Sequence, residues 1–122
     1  MNKIQKISES EKQIMQYIWS VGRAVTTAEI LQHLPEDKKW KQNTVITFLS
    51  RLNEKGFLVV TKVGKANYYK ARLTEQEYIN YETKAFINDV HKGSILGLIT
   101  TLCDSNDLTK DDIEELMERL KK

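Results

Sequence analysis

Asn43, Thr44, Thr47, Ser50 and Arg51 are the residues whose types and spacing suggest a chemistry. At roughly 100° per residue on a helix, Asn43, Thr47, Ser50 and Glu54 fall along one strip, with Thr44 and Arg51 on one edge and Ile46 on the other. An amide, hydroxyls and a guanidinium side by side, with few acids, resemble a surface that reads base edges and phosphates in a DNA major groove. Asn43 can bond adenine N6 and N7 in a bidentate way, and Ile46 can meet a thymine methyl. An ordinary solvated helix face has the same composition, so the rest of the chain has to decide. Covalent chemistry has no comparable candidate. There is no Gly-rich phosphate loop, no H-E-x-x-H and no nucleophile elbow. Asp111, Asp112, Glu114 and Glu115 read as a helix start biased toward its dipole, not as a paired acid and base. One cysteine, Cys103, and two distant histidines, His33 and His91, lack the count and spacing of a soft-metal cluster. No enzyme activity, cofactor or metal is therefore expected, and Cys103 reads as a small apolar filler.

The reading strip needs a helix that is held from behind. Within Trp40–Gly56, WKQNTVITFLSRLNEKG, the residues Val45, Phe48, Leu49 and Leu52 repeat at i, i+3, i+4, i+7 and form a core face opposite the strip. Gly56 supplies the left-handed stop. Upstream, Ser8 and Glu11 form a capping box for a first helix that runs to about Val21, is apolar at Ile14, Met15, Ile18 and Trp19, and ends at Gly22. An extended piece, Ala24 to Thr26, leads to a small second helix capped by Thr27 or Thr26, with Ile30, Leu31 and Leu34 on its buried side. Pro35 closes it, and the polar loop Glu36 to Lys39 follows. After Gly56 the period changes to two: FLVVTKV and NYYKARL read as strands joined by the turn Gly64-Lys65-Ala66. Lys62, Lys65, Lys70 and Arg72 decorate this hairpin. Three helices followed by a basic hairpin is the order of a winged helix-turn-helix. Each cation alone is a solvated charge; four beside such a helix point to a phosphate-binding wing.

The chain has 122 residues, 40% hydrophobic and 30% charged, which suits one soluble domain or one domain with an appendage. No run approaches the roughly 18 apolar residues of a membrane span, and the N-terminus lacks a signal-peptide core, so a cytoplasmic protein without membrane insertion is expected. The single cysteine agrees with a reducing compartment. The net charge of +2 conceals an asymmetry: residues 1–73 carry thirteen Lys and Arg against six Asp and Glu, residues 74–122 six against eleven. Only the first part suits a polyanion. The expected fold is therefore mostly α with a small β-hairpin, a winged-helix DNA-binding domain over 1–73 and a helical dimerisation domain over 74–122.

In that second part Thr74 and Glu77 form another capping box, starting a helix with Tyr78, Ile79, Tyr81, Phe86, Ile87 and Val90 that Gly93 breaks. The segment SILGLITTLC sets Ile95, Leu98, Ile99 and Leu102 on one side and is apolar over most of its circumference. Thr109 and Asp112 cap a last helix with Ile113, Leu116, Met117 and Leu120 in phase. Three helices are too little protein to enclose the middle one. A second copy would enclose it across an isologous interface built from Phe86, Ile95, Leu98, Ile99, Leu102, Ile113, Leu116 and Leu120. The alternative is a helical cap folded back on the winged domain; the charge split favours the dimer, whose two half-sites would lie about one helical turn apart or a little more.

These residues also resemble a known family. I-S-x-x-E (Ile7, Ser8, Glu11), Trp19, the run W-x-x-x-T-V-x-T-x-L-x-R-L-x-x-K-G from Trp40 to Gly56, the turn Gly64-Lys65 and F-I-N-x-x-x-x-G-S-I from Phe86 to Ile95 are similar to the penicillinase repressor family, which controls β-lactam resistance genes. The resemblance covers nearly the whole chain. It implies a homodimeric repressor on a palindromic double-stranded DNA operator, with Asn43, Thr44 and Thr47 reading bases or entering the groove, Arg51 on a phosphate and Lys65 at the wing tip; the basic residues Lys41 and Lys62, read from the sequence itself, are expected to contact DNA beside them. Lys41-Gln42-Asn43 departs from the Ser-Pro-Lys often found there. The resemblance further implies a membrane sensor with a zinc protease domain that cuts near Thr101-Leu102, where the family bond is usually Asn-Phe. The rivals are a winged-helix protein-interaction module without DNA binding, and a repressor of this fold with a metal trigger.

Overall fold

A computed structural model describes residues 4–34 and 39–121. The chain forms α1 (Glu9–Val21), α2 (Thr27–His33), α3 (Gln42–Glu54), β1 (Leu58–Val63), β2 (Ala66–Ala71), α4 (Glu75–Val90), α5 (Ile95–Asp104) and α6 (Lys110–Leu120). Contacts divide it into two compact units, Met1–Ile79 and Asn80–Lys122, so that α4 begins in one and ends in the other. The architecture of the first unit is a winged helix-turn-helix.

Local capping sets the helix starts. At α1 the Ser8 hydroxyl accepts from the Glu11 N–H and the Glu11 carboxylate accepts from the Ser8 N–H, the expected box. At α2 it is Thr26, paired with Glu29, that caps. Thr74 with Glu77 and Thr109 with Asp112 do the same for α4 and α6. Each such cap contributes about 1 kcal/mol. Gly22 ends α1 in the left-handed region at φ 74°, where a Cβ would strain the backbone. Pro35 and residues 36–38 of the polar loop expected after α2 lie outside the described residues.

The core of the first unit is built from all its elements: Ile14, Met15 and Ile18 of α1, Val25, Ile30 of α2, Val45, Leu49 and Leu52 of α3, then Phe57, Leu58, Tyr69 and Tyr78. Leu31, Leu34, Phe48 and Trp19 pack around it, partly buried. Tyr78, in the first turn of α4, lies with its ring centroid 5.4 Å from Trp19 and 5.9 Å from Phe57. The Trp19 indole Nε1 donates to the Leu73 carbonyl at 2.9 Å, holding the chain where it leaves the hairpin.

The hairpin pairs Leu58 with Ala71 at its base and Val63 with Ala66 at its tip. The turn is therefore two residues, Gly64-Lys65, and Ala66, expected in the turn, is the first residue of the strand. Gly64 takes φ 63°, which a two-residue hairpin favours. Two isolated strands are marginal in water. Here Val25 exchanges both backbone hydrogen bonds with Tyr69, at 2.9 and 2.8 Å, and so fastens the wing to the α1–α2 connection.

The second unit has no fully buried side chain in α5 or α6. Leu96 is 73% and Leu120 85% exposed, and Phe86, Val90, Ile95, Leu116 and Met117 are exposed too. An apolar groove of about 420 Å³ runs between Ile99, Leu108, Ile113, Leu116 and Leu120. No helix among the described residues is long and apolar enough to cross a membrane.

Candidate nucleic-acid interface

The position of α3 follows from its apolar phase. Val45, Leu49 and Leu52 are completely buried against α1 and α2, about 1.5–3 kcal/mol each by transfer free energy. Phe48, expected with them, is half-buried instead and closes the edge of the core by meeting Trp40 edge-on at 5.1 Å. The helix itself starts at Gln42 rather than Trp40, with Lys41 as a cap whose side chain makes no capping bond. At its other end the Lys55 N–H bonds the Arg51 carbonyl, and Gly56, at φ 83°, turns the chain into β1.

This anchoring leaves Gln42, Asn43, Ile46, Thr47, Ser50, Arg51 and Glu54 exposed on the opposite side. From Asn43 to Glu54 they span about 16 Å of helix, about three α-helical turns, facing a groove about 12 Å wide. Thr44 lies on the edge of the strip and is half-buried, the least available of the three residues expected to meet bases. Ile46 is 41% exposed on the other edge. The Thr47 hydroxyl donates to the Asn43 carbonyl at 3.0 Å. Its hydrogen is thus spent on the helix, and the oxygen is offered outward as an acceptor beside a methyl group.

Lys41, Arg51, Lys62, Lys65, Lys70 and Arg72 are exposed, and among the described residues none of them forms an ion pair. Strand alternation separates the wing cations: Lys62 follows Leu58 and Val60 on the core-side face, Lys70 stands opposite Val59 on the outer face, and Lys65 is at the tip. The structure brings Lys41, Asn43, Thr44, Ile46, Thr47 and Arg51 together on one helix and Lys62 with Lys65 at one end of the hairpin.

One residue pair behind the interface was not foreseen. Glu11 is 1% exposed, and its carboxylate accepts from both the Ser8 N–H and the Lys55 ammonium at 2.8 Å. Burial is the largest single influence on this carboxyl and opposes ionisation. The Lys55 ammonium and the Ser8 donors together outweigh it, and the carboxyl is held below its ordinary range. The pair ties α1 to the end of α3 across 44 residues of sequence. Its signal was the phase of Glu11, which falls in line with Ile14, Met15 and Ile18 on the apolar side. Among the described residues no group of three or more His, Cys, Asp or Glu side chains could hold a metal ion. Phe86, Ile95, Leu98, Ile99, Leu102, Ile113, Leu116 and Leu120 all lie in the second unit, exposed except for half-buried Leu98 and Leu102; Thr101 is exposed in α5.

Known proteins are similar to this chain. The methicillin resistance regulatory protein MecI of Staphylococcus aureus (strain N315) is 35% identical over 122 residues, 99% of this chain and 98% of its own. The solution structure of the DNA-binding domain of the repressor BlaI superposes with a TM-score of 0.55 at 33% identity, covering 64% of this chain and 94% of that domain. The Bacillus licheniformis BlaI monomer in complex with the blaP half-operator gives 0.52 at the same identity and coverage. Beyond these single relatives, the family described as Penicillinase repressor matches from Ile7 to the last residue, through the winged unit and the three helices after it, and this protein belongs to that family.

Proposed function

We propose that the protein is a DNA-binding transcriptional repressor that occupies a palindromic operator as a homodimer. The observation that carries this reading is the exposed side of α3, whose amide, hydroxyls and guanidinium face outward beside a hairpin that exposes Lys62 and Lys65 near its tip. In the proposal Asn43 and Thr47 read base edges, Thr44 enters the groove, Ile46 meets a thymine methyl, Arg51 and Lys41 meet phosphates, and Lys62 and Lys65 hold the flanking backbone. The bound half-operator of the BlaI relative supports the same use of this fold.

Residues 1–73 do the binding in this reading, and residues 74–122 the pairing. Support for pairing comes from α5 and α6, which expose Ile95, Leu96, Leu116, Met117 and Leu120 and have no interior of their own. A self-complementary two-fold contact covers such faces and doubles the DNA contacts, so that loss of pairing releases DNA by loss of avidity. Release follows from a cut at Thr101–Leu102 by a membrane sensor protease, which divides α5 and the apolar side it presents. Finding the chain intact after incubation with such a partner, while DNA is still released, would sink that step and leave the repressor reading standing.

The DNA reading is tested by fluorescence anisotropy on a generic 30-base-pair duplex across a salt series, followed by selection from a randomised duplex pool. Affinity that falls steeply with salt, and a selected palindrome, are expected. Binding insensitive to salt would favour a winged-helix protein-interaction module.

A further inference from the structure

A cleft of about 290 Å³ lies at the base of the hairpin, where α1 ends and α4 begins. Ile18, Trp19, Ala71 and Leu73 give it an apolar floor; Arg23, Lys70, Arg72 and Glu75 stand around its rim. We propose that it binds a small organic carboxylate with a short, flat apolar body.

Charge and size select that class. Arg23 is already committed, with Nη2 on the Glu29 carboxylate at 2.7 Å and Nη1 on the Ala24 carbonyl at 2.9 Å. Lys70 and Arg72 have no ion-pair partner among the described residues and provide the attraction. With Glu75 on the same rim and Arg23 neutralised by Glu29, the two free cations leave a net charge of about +1, which a single carboxylate neutralises. The volume is at the small end of ligand cavities, roughly 300 Å³ and upward, and leaves no room for a nucleotide. DNA is served elsewhere: the cleft is bounded by Ala71, at the Leu58 end of the ladder, whereas Lys65 is at the Val63–Ala66 end, about 17 Å away along the strand. The floor also holds a reporter, since the Trp19 Nε1–H that bonds the Leu73 carbonyl has both partners in the cleft wall.

The experiment uses the full chain without DNA, so its outcome is independent of the repressor reading. Trp40→Phe leaves Trp19 as the one indole of the two in the sequence, and its N–H signal is followed by ¹H–¹⁵N NMR during titration with 4-phenylbutyrate. A saturable shift is expected, with binding roughly tenfold weaker for neutral 4-phenylbutanol and for the Lys70→Gln/Arg72→Gln variant. Should that variant melt early, Glu75→Gln serves instead, and is expected to tighten the acid and not the alcohol. The proposal is overturned by a shift that does not saturate, by equal binding of acid and alcohol, or by charge variants that bind as the parent does.

Discussion

The Lys55–Glu11 pair makes an asymmetric prediction. Glu11→Gln keeps an acceptor for the Ser8 N–H and leaves Lys55, whose side chain is a quarter exposed, free to reach water. The loss is one charge-assisted bond in a partly solvated setting, about 1 kcal/mol. Lys55→Met is different. It preserves the packed stem but strands a carboxylate whose side chain is 2% exposed and whose second oxygen has no partner. Breaking a buried pair from that side costs about 3–5 kcal/mol; Lys55's exposure reduces this to about 2–3. Unfolding in urea followed by tryptophan emission isolates the first unit, because Trp19 and Trp40 both belong to it, and fixed protein concentration removes any effect of association.

The pH dependence gives a second handle on the same pair. Glu11 is depressed in the folded protein, so its contribution is complete above the ordinary glutamate range and is lost as pH falls through the lower folded value. The deficit of Glu11→Gln therefore shrinks from neutral pH to pH 3. Without Lys55, burial is opposed by the Ser8 hydrogen bonds only, so the Glu11 pKa rises above its value in the parent, and protonation then removes the stranded charge. The Lys55→Met deficit shrinks too, beginning at a higher pH. Equal costs for the two variants at pH 7, or deficits that stay constant down to pH 3, would refute the account of a buried carboxylate held ionised by one cation.

Three further outcomes follow from the site and from the second unit. Arg51→Gln and Lys65→Gln should each lower the slope of log affinity against log salt by about 0.9 and weaken all sequences alike, as read by anisotropy on a selected and a scrambled duplex. Asn43→Ala should leave that slope unchanged and cost about 1–3 kcal/mol of discrimination at one base pair of the half-site, measured over single-substitution duplexes. Leu116→Glu, an exposed position of α6 beside the apolar groove, should convert a dimer to a monomer in sedimentation while the Trp19 and Trp40 emission of the first unit stays unchanged.

What was legible in the sequence is what is decided within a few residues. Ser8 with Glu11, Thr74 with Glu77 and Thr109 with Asp112 each announce a helix start through one reciprocal pair, and all three form as expected. The apolar phase of Val45, Leu49 and Leu52 likewise determined which side of α3 faces outward, and with it the candidate reading surface. Phe48 was misplaced by the same rule, because a phase of 140° from the strip marks the rim of a core as readily as its interior, and Trp40, before the helix, decided between them. Contacts that join distant residues left weaker traces. Val25 bonding Tyr69, Trp19 reaching Leu73 and Lys55 reaching Glu11 depend on where whole elements pack, and a Glu among apolar residues is the single one of these with a periodic signal.

The two units differ in the same respect. In the first, each helix finds its apolar partner on the same chain, so phase and burial agree. In the second, the phase of Ile113, Leu116, Met117 and Leu120 is as regular, yet these side chains remain exposed. Leaving Leu120 and Leu96 in water forgoes about 1.5–3 kcal/mol each of burial that the sequence pattern is arranged to capture. A regular apolar stripe without an interior is therefore the feature that argues for a second copy, and a cut within α5 would act on that missing burial rather than on the DNA-reading helix.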